Sequence, residues 1–165
     1  MTRAEESRAA YRRIGGQVHT IQEIRDEAGR LIDTVTKPLK VEFRLQDVGQ
    51  LLAGAFMMGI PMALTEEVWV LGETLPPGRI LLIALLSIVV LALFIWGLFY
   101  GGHIAEFKFD YFKRVTVSYL VTFGISLLLL ALFGKAGFNL SLAIRRAVIV
   151  AFPAAFAASS VDFIR

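Results

Sequence analysis

An uncharged run of 23 residues, ILLIALLSIVVLALFIWGLFYGG at 80–102, constrains the fold of this chain more than any other feature. About 20 mostly apolar residues let a helix cross the hydrocarbon core of a bilayer, which is about 30 Å thick. Three further segments are mostly apolar over a similar length, so the sequence predicts four transmembrane helices. The predicted spans are about 48–71, 80–102, 115–134 and 140–163. The predicted fold class is an all-α membrane protein.

The fourth span has the shortest uncharged run, which covers the 15 residues Ala147–Val161. At about 1.5 Å per residue this run is about 22 Å long, which is too short for the bilayer core. The helix must therefore include Arg145 and Arg146 at one end or Asp162 at the other, and 140–163 is the preferred interpretation.

Composition agrees with a membrane protein, because hydrophobic residues are 56% of the chain and the mean hydropathy is +0.66. The chain has no cysteine, which excludes disulfides, thiolate metal sites and cysteine nucleophiles. It has no nucleotide-binding loop, serine elbow, zinc box or rhomboid-type catalytic pair, so an enzyme is disfavoured. The sequence pI near 9.4 is interpreted as basic segments beside a membrane rather than a nucleic-acid surface.

Residues 1–46 carry most of the charge and are predicted to form a separate N-terminal segment ahead of the membrane domain, 47–165. The prediction is a short basic helix followed by a small β-ribbon, which would pack on the membrane face or on a neighbouring subunit. The predicted elements are a helix at 4–13, strands at 18–24 and 31–36, a turn at 26–29 and a third strand at 39–43.

Lysine and arginine set the predicted orientation. The segment before the first span holds nine of the 17 Lys and Arg residues, and the loop after the second span holds Lys108, Lys113 and Arg114. The loop after the first span holds only Arg79. The positive-inside rule therefore predicts that both termini and the middle loop are cytoplasmic. The polar N-terminus lacks the apolar region of a signal peptide, so no cleavage is expected.

Glu66 and Glu67 lie at the outer end of the first predicted span. Arg145 and Arg146 lie near the start of the fourth predicted span, in the same leaflet of the membrane. Charged residues inside a membrane usually pair, face water or mark a functional site. Two interpretations stay open. The acids are ion-pair partners of Arg145 and Arg146, or they bind and select a cation such as calcium, which prefers carboxylate oxygens.

Two prolines predict helix kinks, Pro61 in the first span and Pro153 in the fourth, because proline cannot donate the backbone hydrogen bond of its turn. If the first span lines an axial pore, its inner half forms an apolar gate that closes by dewetting. The predicted gate residues are Leu51, Ala55, Met58 and Met62.

The loop at 101–115 mixes aromatic and charged residues. His103, Glu106 and Asp110 share one helical face and would resemble a metal site. An aromatic and basic interfacial helix anchored at the headgroups is the preferred interpretation.

The segment GIPMALTEEVWVLGETLPPG at 59–78 resembles a prokaryotic family of integral membrane proteins of unknown function that carry an ALTEEVW-like box. This resemblance implies a bacterial or archaeal inner membrane. LLAGAFMMG at 51–59, followed by Glu66, resembles the Orai-type calcium channels, which have four spans, cytoplasmic termini and a glutamate at the outer end of a pore-lining first helix. The spacing from the glycine to the acid is longer here, and Pro61 lies between them.

The expected function is cation conduction by a homo-oligomer, since four helices are too few to enclose a pathway. One alternative is a structural or regulatory membrane protein whose Glu and Arg pairs only lock helices together. The other is a proton-coupled carrier. The expected partners are lipids, further copies of the chain and an inorganic cation, without nucleic acid and without a cofactor other than a bound cation such as calcium.

Overall fold

The computed structural model describes residues 10–14, 17–25, 31–38, 45–100, 107–137 and 139–164. The chain divides into two compact units, Met1–Glu42 and Phe43–Arg165.

The first unit contains three antiparallel strands in the order β1-β2-β3. Their bounds are β1 Ala10–Ile14, β2 Gln17–Arg25 and β3 Leu31–Pro38. Residues 10–13 lie in β1 instead of the predicted helix, because they pair with β2 in a register that places Arg12 opposite His19. The remainder of that predicted helix, the turn at 26–29 and the strand at 39–43 lie outside the described residues.

The second unit is helical, which confirms the predicted helical membrane domain. Its helices are α1 Leu45–Ala63, α2 Glu66–Thr74, α3 Pro77–Ile95, α4 Lys108–Leu132 and α5 Leu140–Ile164. A π-helical turn, Trp96–Tyr100, extends α3. Three segments are long and apolar enough to cross a membrane, namely Pro77–Tyr100, Lys108–Leu132 and Leu140–Phe163. A fourth span exists if α1 and α2 are counted together.

Helix α5 is at the centre of this unit and packs against α1, α2, α3 and α4. Small residues permit the close crossing of α1 and α5. A side chain added at Gly54 would place its Cβ 2.5 Å from the Cα of Ala158, so only glycine fits there. Helix α3 exposes many of its leucines, as expected of a helix that faces lipid.

The prediction of a single continuous first span at 48–71 is wrong. Helix α1 ends at Ala63, α2 begins at Glu66, and the two helices are bent by 78° relative to each other. Helix α1 alone has 19 residues and is about 28 Å long at 1.5 Å per residue, nearly enough to cross the bilayer core. Helix α2 therefore turns aside once α1 has covered almost that thickness.

The bend lies beyond Pro61 and not at it, because α1 continues through the proline. The last turn of α1 tightens, since the amide of Thr65 donates to the carbonyl of Met62 at 3.2 Å and the Thr65 hydroxyl donates to the carbonyl of Pro61 at 2.8 Å. The indole of Trp69 donates to the carbonyl of Ala63 at 2.8 Å and caps α1. Helix α5 continues as one helix through Pro153.

Candidate functional site

Glu66 and Glu67 lie in the first turn of α2, and both are exposed. Neither carboxylate pairs with any residue in the described part of the chain. Negative charge at a helix N-terminus is favoured by the unpaired amides and the helix dipole, by about 0.3–1 kcal/mol per charge. Together with Val70 and Leu71 the two acids line an open depression of about 400 Å³.

Arg146 lies at the opposite end of α2 from Glu66 and Glu67. Its guanidinium donates to a carboxylate oxygen of Glu73 at 2.5 Å and to the carbonyl of Lys135 at 2.5 Å. The predicted pairing of Arg146 with Glu66 or Glu67 is therefore wrong. The physical reason is the bend, which turns α2 so that its last turn, instead of its first, meets α5.

Arg145 also contacts the end of α2, where its guanidinium donates to the backbone carbonyl of Leu75. This carbonyl follows the last residue of α2 and has no partner within the helix turn. Arg145 is thus bound to the main chain, and the predicted pairing of Arg145 with Glu66 or Glu67 does not occur either.

Gly72 lets Arg146 reach Glu73. A Cβ at Gly72 would lie 2.4 Å from the Cγ of Arg146, a distance that forces one side chain to move. On the same face of α2, the ammonium of Lys135 lies 3.8 Å from the ring centroid of Trp69. We call this group (Trp69, Gly72, Glu73, Lys135 and Arg146) the α2 clasp. It holds α2 against α5 and the loop before it.

The predicted apolar gate does not form a continuous exposed surface of α1. Leu51 and Ala55 are fully buried and pack with Ala158, so they face the interior of the single chain. Met58 is exposed and Met62 is half-buried. The four residues recur at i, i+4, i+7 and i+11 and therefore share one side of α1, but Leu51 and Ala55 are covered within the chain. The inner half of this side therefore cannot line a pathway between copies of the chain.

A second buried arginine lies at the other end of α5 and was not predicted as a site. Arg114 is 2% exposed and lies between two carboxylates. The oxygen Oδ2 of Asp47 is 3.5 Å from one guanidinium nitrogen, and Oδ2 of Asp162 is 3.4 Å from another. The guanidinium also lies over the ring of Phe99, 3.9 Å from its centroid. We call Asp47, Arg114 and Asp162 the Arg114 triad.

No group of three or more His, Cys, Asp or Glu residues among the described residues could hold a metal ion. Calcium takes six to eight oxygen ligands, whereas Glu66 and Glu67 supply four carboxylate oxygens. A calcium ion at these acids would thus need further oxygen ligands, from water or from other copies of the chain. The helical face that resembled a metal site consists of His103, Glu106 and Asp110. Asp110 is half-buried, and the other two residues lie outside the described residues.

A helical unit with segments long and apolar enough to cross a membrane agrees with the comparison to known families. The family profile described as "Putative integral membrane protein (DUF2391)" matches residues 20–164. The chain belongs to this family. The match covers all five helices of the membrane unit and supplies no activity. No curated protein matches the chain, and no solved structure does.

For this member of the family, sequence reasoning missed Glu73 and the Arg114 triad. The sequence did contain a signal for the triad. Asp47, Arg114 and Asp162 each lie at the cytoplasmic end of a predicted span, so the predicted topology places all three on the same side of the membrane. The same reasoning that brought Glu66 and Arg145 together would have brought these residues together. Glu73 had no such signal, since its position depends on the bend between α1 and α2.

Proposed function

We propose that the protein is an oligomer that conducts cations, with Glu66 and Glu67 forming a ring of carboxylates at the mouth of the pathway. The contrast with Glu73 carries the proposal. Glu73 is engaged by Arg146 in the α2 clasp, whereas Glu66 and Glu67 are exposed and pair with no described residue. Carboxylates that are not needed to lock helices are available to attract cations.

The pathway follows the exposed face of α1 instead of the predicted gate residues. This face carries Ala53, Met57, Ile60 and Leu64, which recur at helical spacing, and Met57 is 77% exposed. Placed around a symmetry axis, these side chains would form an apolar constriction directly below the acids. The resemblance of this segment to Orai-type channels supports the same arrangement.

The resemblance of residues 59–78 to a prokaryotic family supports an inner membrane, and the distribution of lysine and arginine supports an orientation with both termini cytoplasmic. In this orientation the N-terminal ribbon is cytoplasmic and α2 lies at the outer surface. Glu66 and Glu67 then face the external solution, where they would concentrate cations and bind a divalent ion such as calcium between subunits.

Flux through liposomes that contain the purified protein tests this proposal. We expect cations to pass in preference to anions and calcium to bind or block from the outer side. Glu66→Gln and Glu67→Gln should weaken both effects. Arg79→Gln is the matched control, because it removes an exposed charge from the same side and should leave cation preference in place. A folded, correctly oriented protein that passes no ion at any voltage, pH or calcium concentration would contradict the proposal.

A proton-coupled carrier is the second candidate, and the broken helix of α1 and α2 favours it. Carriers commonly place discontinuous helices at their binding sites, where freed backbone groups and helix ends meet the substrate. Saturable exchange that follows the proton gradient would identify the carrier. A current that rises in proportion to voltage, without saturation, would identify the channel. Absence of both would leave a structural or regulatory role.

A further inference from the structure

Two cations at the corner between α2 and α5, Lys135 and Arg145, have no carboxylate partner among the described residues. Lys135 lies in the loop between α4 and α5, and its ammonium contacts the ring of Trp69. Arg145 lies in the second turn of α5, and its guanidinium donates to the backbone carbonyl of Leu75, which is a neutral acceptor. Both cationic side chains are half-buried, so a ligand at the surface of the bundle can reach them.

This corner carries an excess of positive charge. Among the described residues, the carboxylate that meets these cations is that of Glu73, and Arg146 binds it. Lys135, Arg145 and Arg146 thus supply three positive charges against one negative charge. The two acids at the start of α2 are exposed and lie about 9 Å or more from Glu73 along the helix, at 1.5 Å per residue. Water and salt screen most of their field over this distance.

Exposed apolar side chains adjoin both cations along the chain. Leu132, the last residue of α4, precedes Lys135 by three residues, and Ile144 directly precedes Arg145. Leu140 lies one turn before Ile144 on the same face of α5. All three apolar side chains are exposed. Positive charge beside exposed apolar surface suits a ligand that has a negative head and apolar chains.

The position of Arg145 along α5 fits the level of the lipid headgroups. The span Leu140–Phe163 has 24 residues and is about 36 Å long, which exceeds the bilayer core of about 30 Å. The uncharged run of this helix begins only after Arg146. Arg145 therefore lies near the boundary between the hydrocarbon core and the headgroups, where long basic side chains reach the phosphates.

We propose that Lys135 and Arg145 bind the phosphate of one anionic phospholipid in the leaflet that contains the α2 clasp. The guanidinium of Arg145 presents a planar fork to the phosphate oxygens, and the ammonium of Lys135 contributes a point charge. Because the corner has more positive than negative charge, a headgroup with net negative charge binds more tightly than a zwitterionic one. The acyl chains lie along the exposed apolar side chains next to the two cations. The assignment does not depend on cation conduction.

Native mass spectrometry of the delipidated full chain in a neutral detergent tests this proposal, because it counts the lipids bound to each protein molecule. We expect phosphatidylglycerol to occupy one tight site per chain, and phosphatidylethanolamine, whose headgroup is zwitterionic, to bind several-fold more weakly. Lys135→Gln and Arg145→Gln should each weaken the tight site about fivefold. Lys113→Gln is the matched control, because it removes an exposed positive charge at the opposite end of the bundle, and it should leave the site unchanged.

Three results would overturn the proposal. One is absent or equal binding of the two lipids, which would show that the excess charge does not select the headgroup. Another is a loss of affinity in Lys135→Gln no larger than that in Lys113→Gln. Because Lys135 lies in a loop, this comparison decides the point even if Arg145→Gln fails to fold. The third is displacement of phosphatidylglycerol by an equal concentration of inorganic phosphate, which would assign the two cations to a free phosphate ion.

Discussion

Arg146 and Arg114, the two buried arginines among the described residues of the membrane unit, lie at opposite ends of the bundle and meet different acids. Arg146 pairs with one carboxylate, Glu73, which is 58% exposed, and its remaining contact is a backbone carbonyl. Arg114 lies between two carboxylates that are mostly buried. The two arginines are similarly buried, at 2% and 7% exposure, so the difference between the two sites lies in the exposure of the acids that they meet.

A single, half-exposed acid makes the α2 clasp a structural device. The charges of Arg146 and Glu73 cancel, and Glu73 keeps contact with water, so no proton or ion is needed to complete this pair. The Arg114 triad instead joins three helices through two carboxylates that are mostly screened from water, so loss of the guanidinium strands charge where little water can reach it.

The largest expected effect is the loss of Arg114. Arg114→Gln leaves two buried carboxylates without the guanidinium and should lower the free energy of unfolding by about 3–5 kcal/mol. The loss should grow as the pH rises, because protonation at low pH neutralises the stranded acids. Unfolding in detergent over a pH series measures both effects.

Lys113→Gln is the control for this prediction, because it removes an exposed charge from the neighbouring position. Surface changes of this kind alter stability by about 0.5 kcal/mol or less. A loss for Arg114→Gln no larger than that for Lys113→Gln would remove the distinction between the two arginines.

The α2 clasp should show a smaller effect. Arg146→Gln should cost about 1–3 kcal/mol, because Glu73 can turn its charge to water while the carbonyl of Lys135 loses its donor. In double-mutant cycles, Arg146→Gln should couple with Glu73→Gln and be additive with Glu66→Gln and with Glu67→Gln. Coupling to Glu66 or Glu67 in place of Glu73 would restore the pairing expected from sequence.

Gly72→Ala tests the packing of the α2 clasp without removing any charge. The added methyl group would lie 2.4 Å from the Cγ of Arg146, and overpacking of this kind costs about 1–3 kcal/mol. Gly124→Ala in α4 is the control, since nothing lies within 4 Å of its Cβ. It should be neutral or stabilise the helix by about 0.5–1 kcal/mol. Equal stability of the two variants would contradict the packing around Arg146.

The sequence predicted the helices of the membrane unit well, because bilayer thickness fixes how long an apolar segment must be. The fourth span, predicted at 140–163, is α5 at Leu140–Ile164. The sequence also predicted that a basic residue near the start of this span would need an acid. The predicted acids, Glu66 and Glu67, were wrong and the observed partner is Glu73, because the choice depends on how α2 is oriented in three dimensions.

The bend between α1 and α2 could not be read from hydropathy. It is set by the side-chain donors of Thr65 and Trp69, which replace helical hydrogen bonds at the end of α1. The predicted apolar gate was wrong because hydropathy does not show which partner covers a helix face. Leu51 and Ala55 belong to the α1 face that meets α5, and no periodic pattern distinguishes a face buried in the chain from one buried between subunits.

The most direct test of the account is whether Glu73, and not Glu66, lies beside Arg146. The chain has no cysteine, so pairs of introduced cysteines can be joined by a short thiol-specific crosslinker without background. We expect Glu73→Cys with Arg146→Cys to crosslink within one chain in membranes, and Glu66→Cys with Arg146→Cys to remain unlinked. Efficient crosslinking of the Glu66 pair and none of the Glu73 pair would contradict the bend, the clasp and the availability of Glu66 for cations.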